Sequence, residues 1–71
     1  MATQVEAQIT GSVWKIEVSV GQEVSEGDVL VILESMKMEI PVEAPARGRV
    51  AEIRVEEGAS VDEGAVLVVL E

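Results

Sequence analysis

From Trp14 to Val20 apolar and polar residues alternate, with Trp14, Ile16, Val18 and Val20 on one side and Lys15, Glu17 and Ser19 on the other. Period two predicts a strand with one face on a core and one in water. The alternation returns in Ala51, Ile53 and Val55 against Glu52 and Arg54, and in Met38, Ile40, Val42 and Ala44 against Glu39, Pro41 and Glu43. Pro41 brings no amide hydrogen to a ladder, so the last of these strands is expected at a sheet edge there, or with Pro41 facing a break in the pairing. VLVIL (29–33) and VLVVL (66–70) have no polar face and follow glycine-containing turns, which predicts strands covered on both sides. GQEVSEGD and GASVDEGA each hold a valine between two glycines, predicting a very short strand between tight turns with positive φ. The pattern gives about eight short strands and no helix.

The pattern is also written twice. Residues 5–34 align with 42–71 without a gap, and 16 of the 30 positions are identical, among them Gly11/Gly48, Ile16/Ile53, Glu26/Glu63 and Leu33/Leu70. A bias toward valine, glycine and glutamate does not place several residue types in register over that length. Two short repeats are too few for a solenoid, so the expected product is two intertwined halves about a pseudo-twofold axis, with two small antiparallel sheets over one aliphatic core.

Residues 35–41, SMKMEIP, form the only internal segment outside both copies. With one strand ending at Glu34 and the next opening near Met38, Ser35, Met36 and Lys37 fall in a tight antiparallel connection, which lifts Lys37 to a hairpin tip. The second copy's equivalent turn would follow Glu71, so both chain ends are expected at the opposite end of the domain, leaving the tip clear.

Composition narrows the function. The aliphatic residues are 14 Val, 5 Ile and 4 Leu, mostly β-branched, and Trp14 is the only aromatic residue, expected to be a packing element ahead of the alternative, a partner contact. Cysteine and histidine are absent, which removes disulfides, the usual zinc sites and histidine-dependent acid/base chemistry. Scattered Ser and Glu do not assemble an active site, so no catalytic and no metal-binding residues are expected. Fourteen acids against five bases, a net charge of −9, argue against nucleic acid as a partner. No apolar run is long enough for a membrane-spanning helix, and the N-terminal stretch lacks the basic and apolar regions of a secretory signal, so a cytoplasmic location is expected. Seventy-one residues suit one domain, 1–71.

The candidate chemistry therefore centres on Lys37. Turns normally take Gly, Asn, Asp or Ser, yet here the lysine stands between Met36 and Met38, with Glu34 and Glu39 flanking them. Methionine fills gaps in cores, but exposed methionine is also an adaptable recognition surface.

ESMKMEIP (34–41) resembles the biotinylation motif of the biotinyl/lipoyl attachment domain family, and EAPARGRV (43–50) resembles the segment that follows the modified lysine in such carriers. The resemblance covers the whole chain. It implies an all-β fold, a flattened β-barrel (barrel-sandwich hybrid) of two four-stranded antiparallel sheets with quasi-twofold symmetry. It implies covalent biotin at Lys37, added by a biotin protein ligase through biotinyl-adenylate. Met36 and Met38 would be recognised by the ligase, with Glu34, Ser35 and Glu39 as further contacts.

By the same resemblance the biotin would be carboxylated by a biotin carboxylase with ATP and bicarbonate, then unloaded by a carboxyltransferase onto an acyl-CoA or a 2-oxo acid. That makes the chain a non-catalytic, monomeric carrier, similar to the stand-alone carriers of acyl-CoA carboxylases; a domain cut from a longer enzyme would read the same way. One bacterial type of carrier has a protruding thumb in its first half; the gapless alignment of the two copies leaves no room for one. The nearest rival is a lipoyl carrier of a 2-oxo acid dehydrogenase or glycine cleavage system, although lipoyl domains usually place an acidic residue where this chain has Met36. A cofactor-free adaptor module of the same fold is the second rival.

Overall fold

The computed structural model describes residues 2–71. Eight strands follow one another: β1 (Thr3–Glu6), β2 (Gly11–Ile16), β3 (Glu23–Val24), β4 (Val29–Ser35), β5 (Met38–Glu43), β6 (Gly48–Ile53), β7 (Ser60–Val61) and β8 (Val66–Leu70). They make two four-stranded sheets, ordered β1-β8-β6-β3 and β5-β4-β2-β7, and every pairing is antiparallel. Exchanging each strand for its mate in the other copy (β1 for β5, β2 for β6, β3 for β7, β4 for β8) turns one order into the other. The duplication seen in the sequence is thus a twofold in the topology.

The all-apolar segments VLVIL and VLVVL are the strands β4 and β8, each inside its sheet, while Pro41 lies in the edge strand β5. The core is built from mates: Leu30 and Leu67, Leu33 and Leu70, Val31 and Val68, Val13 and Val50 are all at most 2% exposed. Full burial of one such side chain contributes about 1.5–3 kcal/mol. No polar or charged side chain is buried among the described residues. The glycine turns knit the copies together, with Gly27 (φ 92°) donating its amide to the Ala44 carbonyl at 2.9 Å and Gly64 (φ 91°) donating to that of Ala7 at 2.8 Å. Neither copy closes without the other.

Trp14 departs from the sequence expectation. The β2–β4 register passes from Val13↔Leu33 to Lys15↔Ile32, so Trp14 and Lys15 share one partner across a β-bulge. One extra residue reverses the in/out phase. Val13 takes the core position at 1% exposure, while Trp14 is 47% exposed with the Lys15 ammonium 5.8 Å from its ring centroid. Strand β2 then ends at Ile16, leaving Val18 buried in the following loop and Val20 exposed in the turn. The apparent alternation over 14–20 is therefore not one strand. The same bulge recurs in β6 at Ala51.

The domain is elongated, 32 × 17 × 17 Å. Thr3 pairs with Leu70 at one end; β1 runs away from that pair to Ala7, and β2 opens at Gly11 against the carbonyl of Glu34, at the base of the β4–β5 hairpin. The hairpin therefore projects from the end opposite Thr3 and Leu70.

Candidate functional site

Strands β4 and β5 pair through Leu33↔Ile40, Glu34↔Glu39 and Ser35↔Met38, which leaves only Met36 and Lys37 as the loop. Ser35, expected in the connection, instead closes β4. Both loop residues have positive φ, 53° for Met36 and 62° for Lys37. Positive φ at both central residues is the type I′ arrangement, whose twist matches that of the flanking strands. Asn-Gly is the favoured pair there, because an L-residue with a larger side chain pays roughly 1–2 kcal/mol to become left-handed. Methionine and lysine are held in that conformation by the rungs behind them.

Those rungs rest on the core. Leu33 is fully buried beneath the hairpin. On the neighbouring strand Gly11 lets the backbones close up, since a Cβ there would lie 2.5 Å from the Glu34 carbonyl oxygen and 3.3 Å from the Ser35 Cβ. Sequence reasoning did not single out Gly11 as a support of the site. Its signal was the Gly11/Gly48 identity in the repeat, and Gly48 makes the matching approach, 2.9 Å from the Glu71 carbonyl oxygen.

Beyond that base the tip is bare. Met36 is 93% exposed, Met38 is 63% exposed and Lys37 is exposed as well. Glu34 and Glu39 stand directly opposite each other, both exposed, a like-charge pair that weakens the rung by a few tenths of a kcal/mol. The structure thus brings Glu34, Ser35, Met36, Lys37, Met38 and Glu39 together in one hairpin end.

The amine stands on a projection, not in a cleft. The surface grooves lie elsewhere, one between the edge strands β1 and β5 beside Gln4 and Pro41, another beside Arg47, Arg49 and Glu71. No group of His, Cys, Asp and Glu able to hold a metal exists among the described residues. A free amine is an acyl acceptor once deprotonated, and an amine on a projection outside any cleft is suited to being modified by another enzyme. The geometry also fits a covalently carried group, because the lysine points into open solvent and no wall blocks a long attachment.

If the left-handed turn is strained by its side chains, Met36→Asn relieves part of that strain. The variant is expected to gain about 0.5–1 kcal/mol, since Asn tolerates the left-handed region. Thermal unfolding checks it, and an unchanged or lowered midpoint contradicts the strain.

The sequence profile of the family described as "Biotin-requiring enzyme" (Biotin_lipoyl) matches residues 1–70. The chain belongs to this biotin/lipoyl attachment family. The biotinylated protein TB7.3 homolog of Mycobacterium leprae is 60% identical over 42 residues. That stretch spans 59% of this chain and 59% of the relative, so the match covers about three-fifths of either. Among solved structures, the urea carboxylase of Kluyveromyces lactis superposes with a TM-score of 0.95 and 34% identity, covering 100% of this chain and 6% of the carboxylase. A single-chain, multi-domain long-chain acyl-CoA carboxylase superposes at 0.91 with 32% identity, covering 96% of this chain and 7% of the enzyme. This biotin/lipoyl domain therefore has the fold of a small part of large carboxylases, with its lysine hairpin at one extremity.

Proposed function

We propose that the chain is a biotin carboxyl carrier in which Lys37 bears the cofactor. One observation carries the proposal: a biotin/lipoyl domain places a lysine on an open, two-residue turn in the segment that joins the two copies of its internal repeat. A biotin protein ligase forms the amide between the Lys37 Nζ and the biotin carboxyl carbon of biotinyl-adenylate, with AMP leaving and the amine losing a proton. With no histidine in the chain to serve as a base beside Lys37, the proton is removed within the ligase complex. Met36 and Met38 offer thioether surface to that enzyme, with Glu34, Ser35 and Glu39 behind them.

When bound, biotin supplies a ring nitrogen that accepts a carboxyl group and gives it up to an acceptor. The domain itself catalyses nothing. It holds the attachment point on a two-residue turn clear of its own surface, and tethering gives the cofactor an effective concentration of order millimolar at its partners. Those partners are a biotin carboxylase and a carboxyltransferase acting on an acyl-CoA or a 2-oxo acid, in the cytoplasm, with the domain monomeric. The carboxylase structures that share its fold support the assignment to carboxylase partners.

Co-expression with a biotin protein ligase tests the cofactor. The intact mass is expected to rise by one biotin amide per chain; a lipoyl increment, or none, contradicts the proposal.

A further inference from the structure

The duplication provides an internal control for surface residues. Where the two copies serve only the fold they should agree, and where they differ on an open face the difference points to a task of one copy alone. Across the outer face of the sheet that carries Lys37, one row runs from Trp14 and Lys15 on β2 through Ile32 on β4 to Pro41 on β5. The equivalent row of the other sheet runs from Ala51 and Glu52 through Val69 to Gln4. Every position differs, although 16 of the 30 aligned positions in the repeat are identical. The lysine-bearing sheet has gained an indole, exchanged a negative charge for a positive one, and kept Ile32 half-buried where Val69 is only 6% exposed.

The bulge makes this face. It turns both Trp14 and Lys15 outward, and the Lys15 ammonium over the ring, 5.8 Å from its centroid, helps fix the indole. Among the described residues, three of the four large exposed apolar side chains, Trp14, Met36 and Met38, lie toward the hairpin end of this sheet. An exposed tryptophan beside apolar neighbours and a rim of charge has the make-up of a binding hot spot.

We infer that this row is the docking surface for the ligase that modifies Lys37. The inference rests on the proposed attachment of biotin there. Ile32 stands three strand residues behind Ser35, which puts Trp14 roughly 10 Å behind the turn at about 3.3 Å per residue. An unmodified lysine reaches out only on a four-carbon stem. An enzyme that acylates it must therefore come down over the hairpin and onto the sheet behind it. Later partners meet the cofactor at the end of a longer arm. The ligase surface that fits has an apolar pocket for the indole and cationic residues facing Glu34 and Glu39.

Steady-state biotinylation of purified apo protein by the ligase tests the inference. Trp14→Ala is expected to raise KM at least tenfold with kcat unchanged, because the indole touches no reacting atom. Its fold is expected to survive, since Ala51 already occupies the same bulge in the other copy, and circular dichroism and thermal unfolding verify that. Pro41→Gln, which installs the residue of the other copy, is expected to raise KM to a smaller degree, and Glu52→Ala on the opposite sheet to leave it unchanged. A folded Trp14→Ala protein labelled with the wild-type KM overturns the inference, as does one that is labelled normally but carboxylated more slowly, since the face would then serve the carboxylase. Failure of the wild-type protein to take biotin at all would instead overturn the proposed function.

Discussion

Lys37→Arg protein, produced with a biotin protein ligase and excess biotin, is expected to carry no biotin, against one per chain for the wild type. The substitution keeps the charge, and arginine can occupy the same exposed turn, so the midpoint of thermal unfolding should stay close to that of the parent. What is lost is an amine that can be deprotonated, because a guanidinium stays charged at any pH the protein survives. The competing nucleophile is Lys15, the only other lysine in the chain. It lies on the face of β2 with its ammonium over the Trp14 ring, and it is not on a projecting turn. Intact mass spectrometry reads the result. Residual labelling of the arginine variant would place the site elsewhere and contradict the reading of the hairpin.

Gly11→Ala is expected to weaken both the fold and the site. The added Cβ would stand 2.5 Å from a backbone carbonyl oxygen, that of Glu34, so β2 and β4 must part at the base of the hairpin. Forcing one extra methyl into a packed contact costs about 1–3 kcal/mol. For a domain of this size each kcal/mol lowers the thermal midpoint by about 4–8 °C. It is also a large share of a total stability near 0.05–0.15 kcal/mol per residue. Gly48→Ala is the built-in comparison, since its Cβ would meet the Glu71 carbonyl oxygen at 2.9 Å, at the far end of the domain. The expectation is a smaller loss of stability from Gly48→Ala and unchanged biotinylation, while Gly11→Ala slows labelling as well. Equal labelling rates in the two variants would mean that Gly11 does not position the lysine.

Much of this was legible in the chain because side-chain periodicity reports what each strand buries. The all-apolar runs became the interior strands, Pro41 marked an edge, and the glycine pairs marked the turns around β3 and β7. The repeat then isolated the segment that holds Lys37. What escaped was set by the backbone. A bulge inserts a residue into the pairing without changing the hydrophobic pattern, so Trp14 to Val20 read as a continuous alternation although the strand ends at Ile16. The clue lay in the repeat, where Val13 and Val50 agree while Trp14 aligns with Ala51, which marks the valines as the core positions. The left-handed pair Met36 and Lys37 was equally hidden, since neither residue favours that conformation and only the two-residue loop imposes it.

Carriage of a carboxyl group is the central claim, and isotopically labelled bicarbonate tests it most directly. Biotinylated protein incubated with a biotin carboxylase, ATP and labelled bicarbonate, then freed of small molecules, is expected to retain one labelled carboxyl per chain, absent from the Lys37→Arg protein and discharged when a carboxyltransferase and its acceptor are added. A biotinylated protein that acquires no label under conditions where the carboxylase modifies free biotin would contradict the account.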